Sequence, residues 1–186
     1  MRSERARHNK IIFSGTVGAG KSTAIAALSD IPPVATEAVA TDETSQLKKT
    51  TTVAMDYGVL NLPDGEKVML YGTPGQERFN FMWEILSEGG IGLVLLINNA
   101  NPDPLADLQG YLTAFKDFIS KTAVAVGVTH MDRAEAPGLD AYRACLASLG
   151  HQAPPAVFRV DARSRDDVAM LVKALLYTLN PGLIDA

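Results

Sequence analysis

Apolar residues along this chain fall into two patterns: short, nearly continuous runs, and longer segments in which they recur every three to four positions. The continuous runs predict buried β-strands, because a strand covered on both faces needs apolar side chains on both. They occupy residues 10–14, 52–62, 67–71, 91–98, 122–129 and 156–160. The periodic segments predict amphipathic helices. These lie at residues 22–29, 79–87, 105–120, 139–149 and 166–179.

The alternation of strands and helices predicts an α/β protein with a six-stranded, mostly parallel sheet and five helices on its two faces. Residues 63–66 (Pro-Asp-Gly-Glu) are typical of a tight turn, so they predict a hairpin and one antiparallel edge strand. The polar, Thr-rich residues 31–51 predict a long functional loop. A length of 186 residues fits one domain over 1–186, and we expect flexible ends at 1–9 and 181–186.

The segment between the first strand and the first helix carries the strongest chemical signal. It reads G-T-V-G-A-G-K-S, the G-x-x-x-x-G-K-S pattern of a phosphate-binding loop. Its glycines let backbone N–H groups converge on phosphate oxygens, Lys21 adds positive charge, and the Ser22 hydroxyl is a magnesium ligand. The pattern therefore predicts a nucleoside triphosphate site with Mg²⁺. We expect nucleotide contacts from Gly15, Thr16, Val17, Gly18, Ala19, Gly20, Lys21, Ser22 and Thr23.

The amino-acid composition limits the classes of partner and the compartment that we expect for this chain. The net charge is −4, which offers no basic surface for nucleic acid or for an anionic membrane. The single cysteine, Cys145, excludes an intramolecular disulfide and is typical of a reducing compartment. The N-terminal region has no apolar run long enough for a signal or spanning segment. We therefore expect a cytoplasmic protein without a direct membrane anchor.

Further polar segments accompany the predicted strands, most of them at the strand ends where doubly wound sheets bind ligands. They are residues 50–57 (TTTVAMDY), 72–79 (GTPGQERF), 129–132 (THMD) and 161–163 (DAR). Together with the phosphate loop, they resemble the guanine-nucleotide motifs of Ras-like small GTPases over residues 10–180. The resemblance implies a P-loop NTPase G domain that binds GTP or GDP with Mg²⁺ and hydrolyses GTP slowly.

The two switch segments supply the reaction residues in this resemblance. Thr52 aligns with the threonine that joins Ser22 on magnesium when the γ-phosphate is present, and Thr51 is the alternative in this threonine triplet. Gln76 aligns with the residue that orients the attacking water, while the Gly75 N–H faces the γ-phosphate. With Lys21 on the outer phosphates, the resemblance implies a catalytic set of Gln76, Lys21 and Thr52.

In this resemblance, residues 129–132 and 161–163 recognise the base. A carboxylate at Asp132 accepts hydrogen bonds from the N1–H and exocyclic amine of guanine, whereas adenine presents an unprotonated N1. Thr129 and His130 precede it, and His130 replaces the lysine usual in the family. Ala162 aligns with the residue whose backbone N–H meets the guanine oxygen. The nucleotide contacts implied in this region are Thr129, His130, Asp132, Asp161, Ala162 and Arg163.

One position departs from the common Ras-like pattern. Gly72 stands where an aspartate usually supports the magnesium ion, and this feature resembles the MglA-like group and predicted GTPases found beside Roadblock-type proteins. The resemblance implies a Roadblock-type regulator and a role in bacterial polarity or signalling. Asp42 or Glu43 are candidate sources of the missing carboxylate. The first switch offers Lys48 and Lys49 rather than an arginine, which indicates low intrinsic turnover.

Two other functions remain open from the sequence. One is a nucleotide-dependent scaffold with little or no hydrolysis, since Gly72 weakens the support of the metal. The other is a P-loop ATPase or small kinase that uses the same phosphate loop. The apolar residues Phe81, Met82 and Trp83 also have two interpretations, as core or as a partner surface beside the second switch.

Overall fold

The computed structural model describes residues 9–41, 50–75, 81–149 and 154–179. Its strands are β1 (Asn9–Ser14), β2 (Val34–Thr41), β3 (Thr50–Asn61), β4 (Lys67–Gly72), β5 (Gly92–Asn98), β6 (Ala123–Thr129) and β7 (Ala156–Arg159). Its helices are α1 (Lys21–Leu28), α2 (Phe81–Ser87), α3 (Pro104–Ala114), α4 (Lys116–Ile119), α5 (Leu139–Ser148) and α6 (Arg165–Leu179). Within these ranges no helix has both the length and the apolarity needed to cross a membrane.

The strands form one sheet in the order β2-β3-β4-β1-β5-β6-β7. Only β3 runs against the others, pairing antiparallel with both β2 and β4. The α/β fold with a mostly parallel sheet is confirmed, but the sheet has seven strands rather than six, and β2 rather than β3 occupies the edge. The edge strand β2 pairs on one side only, and Thr36 and Glu37 interrupt its apolar residues. It therefore lacks the continuous apolar run by which the buried strands are recognised.

The number of helices also differs from the prediction. The predicted helix 105–120 is divided at Phe115, whose backbone (φ −95°, ψ 12°) ends α3 and begins the short helix α4. The described ranges therefore contain six helices instead of five. Phe115 is buried, so this break still packs an aromatic ring into the core.

The core has one layer on each side of the sheet. Helices α1 and α6 cover one face, where the apolar layer includes Ile11, Phe13, Leu70, Leu96 and Leu171. Helices α2, α3 and α5 contribute to the other, which includes Ile12, Leu93, Leu95, Leu108 and Tyr142. Since β1, β4, β5, β6 and β7 are parallel, their carboxyl ends meet at one edge of the sheet. The segments that follow these strands are therefore brought together there.

Candidate nucleotide-binding site

The phosphate loop joins β1 to α1 in a conformation that requires glycine. Gly15 has φ 144°, and a Cβ placed on it would lie 2.1 Å from the Leu96 carbonyl oxygen. Gly20, immediately before α1, has φ 95°, and its Cβ would lie 2.8 Å from the Cβ of Ala162. The second contact brings the phosphate loop against the segment predicted to cover the base. Two separate sequence motifs thus form one site.

Lys21 is the buried cation of this loop. Its Nζ donates hydrogen bonds of 2.7 Å to the carbonyl oxygens of both Gly15 and Thr16. Burial lowers the pKa of the Lys21 ammonium to about 8, against the opposing effect of the negative charge of Asp56. A phosphate group beside this side chain favours the charged ammonium, so binding of a polyphosphate raises the Lys21 pKa again.

We expect nucleotide affinity to fall at alkaline pH because of Lys21. Below pH 8 the ammonium is already charged in the free protein, so affinity depends little on its titration. Above pH 8 binding requires uptake of a proton, and affinity falls by up to about tenfold per pH unit. Calorimetric titrations of a triphosphate between pH 7 and 9.5 measure this slope. A Lys21→Met variant should bind weakly with a flatter profile; an unchanged slope in that variant would assign the effect elsewhere.

The carboxylate beside Ser22 comes from an unexpected residue, Asp56 in β3. The Ser22 hydroxyl donates a 2.6 Å hydrogen bond to Asp56 Oδ2. The Asp56 side chain also lies over Gly72: a Cβ built on Gly72 would be 3.1 Å from Asp56 Cβ and 3.2 Å from Asp56 Oδ2. Asp56, from the neighbouring strand, therefore places a carboxylate over position 72, where the Ras-like pattern that the sequence resembles has an aspartate. The sequence-based candidates Asp42 and Glu43 lie outside the described residues.

The segment after β4 returns to the phosphate loop. Thr73 is buried, its N–H donates to the Phe13 carbonyl at 2.8 Å, and its hydroxyl lies 2.8 Å from the Ser14 hydroxyl. Gly75 follows, and a Cβ on it would lie 2.7 Å from Lys21 Nζ and 2.8 Å from the Val17 nitrogen. Gly75 thus lies against the phosphate loop, and a larger residue would not fit there.

A cavity of about 480 Å³ adjoins the phosphate loop on the side of β6 and β7. Among the residues that line it are Gly20, Thr23, Thr129, His130, Asp132, Asp161, Ala162 and Arg163, all predicted nucleotide contacts. Thr129 donates to the Ala19 carbonyl at 3.0 Å, and His130 Nε2 lies 3.0 Å from the Gly18 carbonyl oxygen. Both segments that were predicted to read the base are therefore joined to the phosphate loop.

Two charged residues at the cavity pair with each other. The Arg163 guanidinium donates to both Asp161 oxygens, at 2.9 and 2.8 Å, and the Arg163 N–H adds a third hydrogen bond at 2.9 Å. These hydrogen bonds lower the pKa of the exposed Asp161 carboxyl to about 2. Arg163 is thereby held across the turn that carries Ala162, while Asp132 remains exposed at the same cavity.

A buried hydrogen-bonded chain that the sequence did not reveal holds the Asp132 loop. The Tyr142 hydroxyl on α5 donates to Asn99 Oδ1 at 2.5 Å, and Asn99 Nδ2 donates to the Ala134 carbonyl at 2.6 Å. Asn99 is 2% exposed and Tyr142 is fully buried. Burial raises the pKa of the Tyr142 hydroxyl to about 12, so it is a donor at physiological pH.

Removing the Tyr142 hydroxyl is expected to loosen this loop. In Tyr142→Phe the buried Asn99 oxygen loses its donor, so the free energy of unfolding should fall by about 1–3 kcal/mol. Because residues 130–133, immediately before Ala134, line the cavity, nucleotide affinity should fall severalfold. Urea unfolding and nucleotide titration measure the two effects. Tyr177→Phe is the matched control, since Tyr177 is exposed on α6; equal behaviour of both variants would exclude a role for the buried chain.

The remaining predicted site residues have different outcomes. Thr52 lies in β3, paired in register with Val39 of β2, but its side chain is outside the described part of the structure. Gln76, Lys48 and Lys49 also fall outside the described residues. Trp83 belongs to the core: its ring stacks on Phe115, with centroids 5.4 Å apart, and on Tyr111 at 4.9 Å.

This fold and site define a nucleotide-binding P-loop protein. A family described as conserved hypothetical ATP binding protein matches residues 32–144, more than half of the chain, and the chain belongs to that family. The match begins after α1 and extends through the Asp132 loop. An uncharacterized protein of Methanocaldococcus jannaschii is 37% identical over 79 residues, covering 39% of this chain and 51% of that protein. The aligned region thus spans about half the length of this relative.

Proposed function

We propose that this protein is a guanine-nucleotide switch that binds GTP with Mg²⁺, hydrolyses it slowly, and changes its partner when GDP remains. The observation that carries the proposal is the carboxylate of Asp132 at a cavity that directly adjoins the phosphate loop. A carboxylate there accepts from two N–H donors on the edge of guanine. The resemblance to the MglA-like group supports the same assignment.

The phosphate end of the site follows from the loop geometry. Backbone N–H groups of the phosphate loop and the N-terminus of α1 bind phosphate oxygens, and Lys21 contributes one buried positive charge. Gly75 lies against Lys21 and Val17, and we propose that its N–H would donate to the outermost phosphate. Gly75 belongs to the second switch and lies against Val17 of the phosphate loop. We therefore propose that the position of the second switch depends on how many phosphates are bound.

The residues near Ser22 fit a magnesium ion. Mg²⁺ prefers oxygen ligands, and the Ser22 hydroxyl and Asp56 carboxylate lie 2.6 Å apart. We propose that Ser22 and Thr52 hold the ion and that Asp56 supports it with the negative charge that Gly72 lacks. When bound, Mg²⁺ neutralises charge on the outer phosphates. Asp56 also accepts from Ser22, so it orients that hydroxyl.

Hydrolysis needs a positioned water more than covalent help from the protein. We propose that Gln76 orients the attacking water, with Lys21 and Gly75 holding the outer phosphate. A partner supplies acceleration, because the first-switch lysines provide charge without the bidentate geometry of arginine. From the resemblance, that partner is a Roadblock-type regulator acting in a polarity or signalling complex. Mixing the protein with such a regulator should accelerate phosphate release; no acceleration would oppose this pairing.

ATP binding is the second candidate, because the family to which the chain belongs is described as ATP binding. Adenine has an unprotonated N1, so it would place an acceptor against the Asp132 carboxylate. Adenine would then form neither of the two hydrogen bonds available to guanine, and its N1 lone pair would face a carboxylate oxygen, which is also an acceptor. For this reason we favour guanine over adenine at this cavity.

Nucleotide identification separates the candidates. The nucleotide that co-purifies with the protein should be GDP or GTP, and unlabelled GTP should displace fluorescent GDP far better than ATP does. Equal displacement by ATP would remove guanine specificity and favour the ATP-binding candidate. Single-turnover phosphate release then tests hydrolysis, with Gln76→Ala as the variant. Bound GTP that stays intact for hours, with no effect of this substitution, would instead support a nucleotide-dependent scaffold.

A further inference from the structure

A second and larger cavity lies away from the nucleotide cavity, on the face of the sheet covered by α2 and α3. It is an open groove of about 990 Å³ between the C-terminal part of α2 and the α3–α4 region. Trp83, Phe115 and Phe118 line its apolar part. The turn after α2 closes against it, since a Cβ on Gly90 would lie 3.0 Å from Phe118 Cζ.

The rim of this groove combines an exposed apolar side chain with excess negative charge. Ile85 is 63% exposed and lies beside a groove lined with aromatic rings. Three exposed carboxylates, Glu84, Glu88 and Asp117, lie around it, whereas Lys121 is the single lysine or arginine among the described residues of the lining. The groove therefore offers apolar contact with an acidic border.

Trp83 links the groove to the nucleotide site. Its indole Nε1–H donates to the Pro74 carbonyl at 3.0 Å, while its ring stacks on Phe115 beside the groove. The next residue, Gly75, lies against Val17 and Lys21 in the phosphate loop. One side chain, that of Trp83, therefore connects residues 74–75 to the floor of the groove. Such direct contact is a physical basis for coupling between two sites.

We propose that this groove binds a segment of a partner protein in which an apolar side chain is flanked by Lys or Arg. The apolar side chain packs on Ile85 and on the half-buried ring of Phe118, above the buried rings of Trp83 and Phe115, and the basic residues pair with Glu84, Glu88 and Asp117. Occupancy is coupled to the bound nucleotide through Trp83 and Pro74. The docking surface stands independently of the nucleotide chemistry, whereas its coupling rests on the proposed switch function.

Selection of peptides tests the chemistry of the occupant. A phage library of random twelve-residue peptides is selected on the full chain and counter-selected on a variant carrying Glu84→Lys, Glu88→Lys and Asp117→Lys. We expect enriched sequences with an aromatic or aliphatic residue between Lys or Arg. An enriched peptide is then titrated while the emission of Trp83, the only tryptophan of the chain, is followed. The charge reversals should weaken binding by about tenfold or more.

A control with the same change in charge is Asp64→Lys, Glu66→Lys and Asp140→Lys, at exposed positions outside the groove. It should retain peptide binding, and loss in both triple variants would point to net charge alone. Enrichment of acidic peptides, or of none that need the groove, overturns the docking proposal. Equal affinity with GDP and with a non-hydrolysable GTP analogue overturns the coupling. If guanine nucleotides do not bind at all, the switch function fails, while the selection still tests the groove.

Discussion

Replacement of Asp132 by alanine is expected to reduce GTP affinity by about 100-fold or more, because two hydrogen bonds to a charged acceptor are lost and each contributes about 1.5–3 kcal/mol. ATP affinity should change by no more than about threefold, since adenine offers the carboxylate no N1–H donor. The preference for GTP over ATP should therefore be largely lost. Competition of each nucleotide against fluorescent GDP measures both constants in wild type and variant.

Asp140→Ala is the matched control for Asp132→Ala. Asp140 is also exposed, lies in the first turn of α5 a short distance downstream, and pairs with Arg143 at 2.8 Å rather than lining the cavity. Its removal should leave both affinities unchanged. Equal losses for GTP and ATP in the Asp132 variant would indicate a general disturbance of the loop. An unchanged GTP affinity would show that Asp132 does not read the base.

The sequence predicts best those parts of the site that are built from residues adjacent to one another in the chain. The phosphate loop is one continuous segment, and its glycines, Lys21 and Ser22 lie between β1 and the first turn of α1. The strands β5 and β6 are buried throughout most of their length, so their apolar runs are long and unmistakable. Because the carboxyl ends of parallel strands share one edge, the meeting of the later motifs with the phosphate loop was also predictable.

The parts that were missed depend on pairing between distant segments. Tyr57 pairs with Tyr71 in the antiparallel ladder of β3 and β4, which places Asp56 next to Gly72. A shift of this register by one residue would turn the Asp56 side chain to the other face of the sheet. The sequence contains both residues but not the register. The chain from Tyr142 through Asn99 to Ala134 is hidden for the same reason, since its members lie on helix α5 and on the loops that follow β5 and β6.

Exchanging the residues at positions 56 and 72 tests the relocated acid directly. Asp56→Gly alone should weaken Mg²⁺-dependent GTP binding and slow hydrolysis by about 10–100-fold, the usual effect of losing a supporting group beside a metal. Gly72→Asp alone should also be harmful, because the new Cβ would lie 3.1 Å from Asp56 Cβ and 3.1 Å from Ile25 Cδ1, and two carboxylates would be crowded together. Magnesium titrations of nucleotide affinity and single-turnover phosphate release measure these losses.

The double variant, Asp56→Gly with Gly72→Asp, should recover binding and hydrolysis to within about threefold of wild type. It restores one carboxylate to the space that Asp56 now occupies over Gly72, and it leaves only Cδ1 of Ile25 to adjust. The decisive comparison is with Asp56→Gly, because relief of the crowding at position 72 explains recovery only relative to Gly72→Asp. If the double variant is no better than Asp56→Gly, then Asp56 acts through its hydrogen bond from Ser22 and not as the acid that replaces position 72.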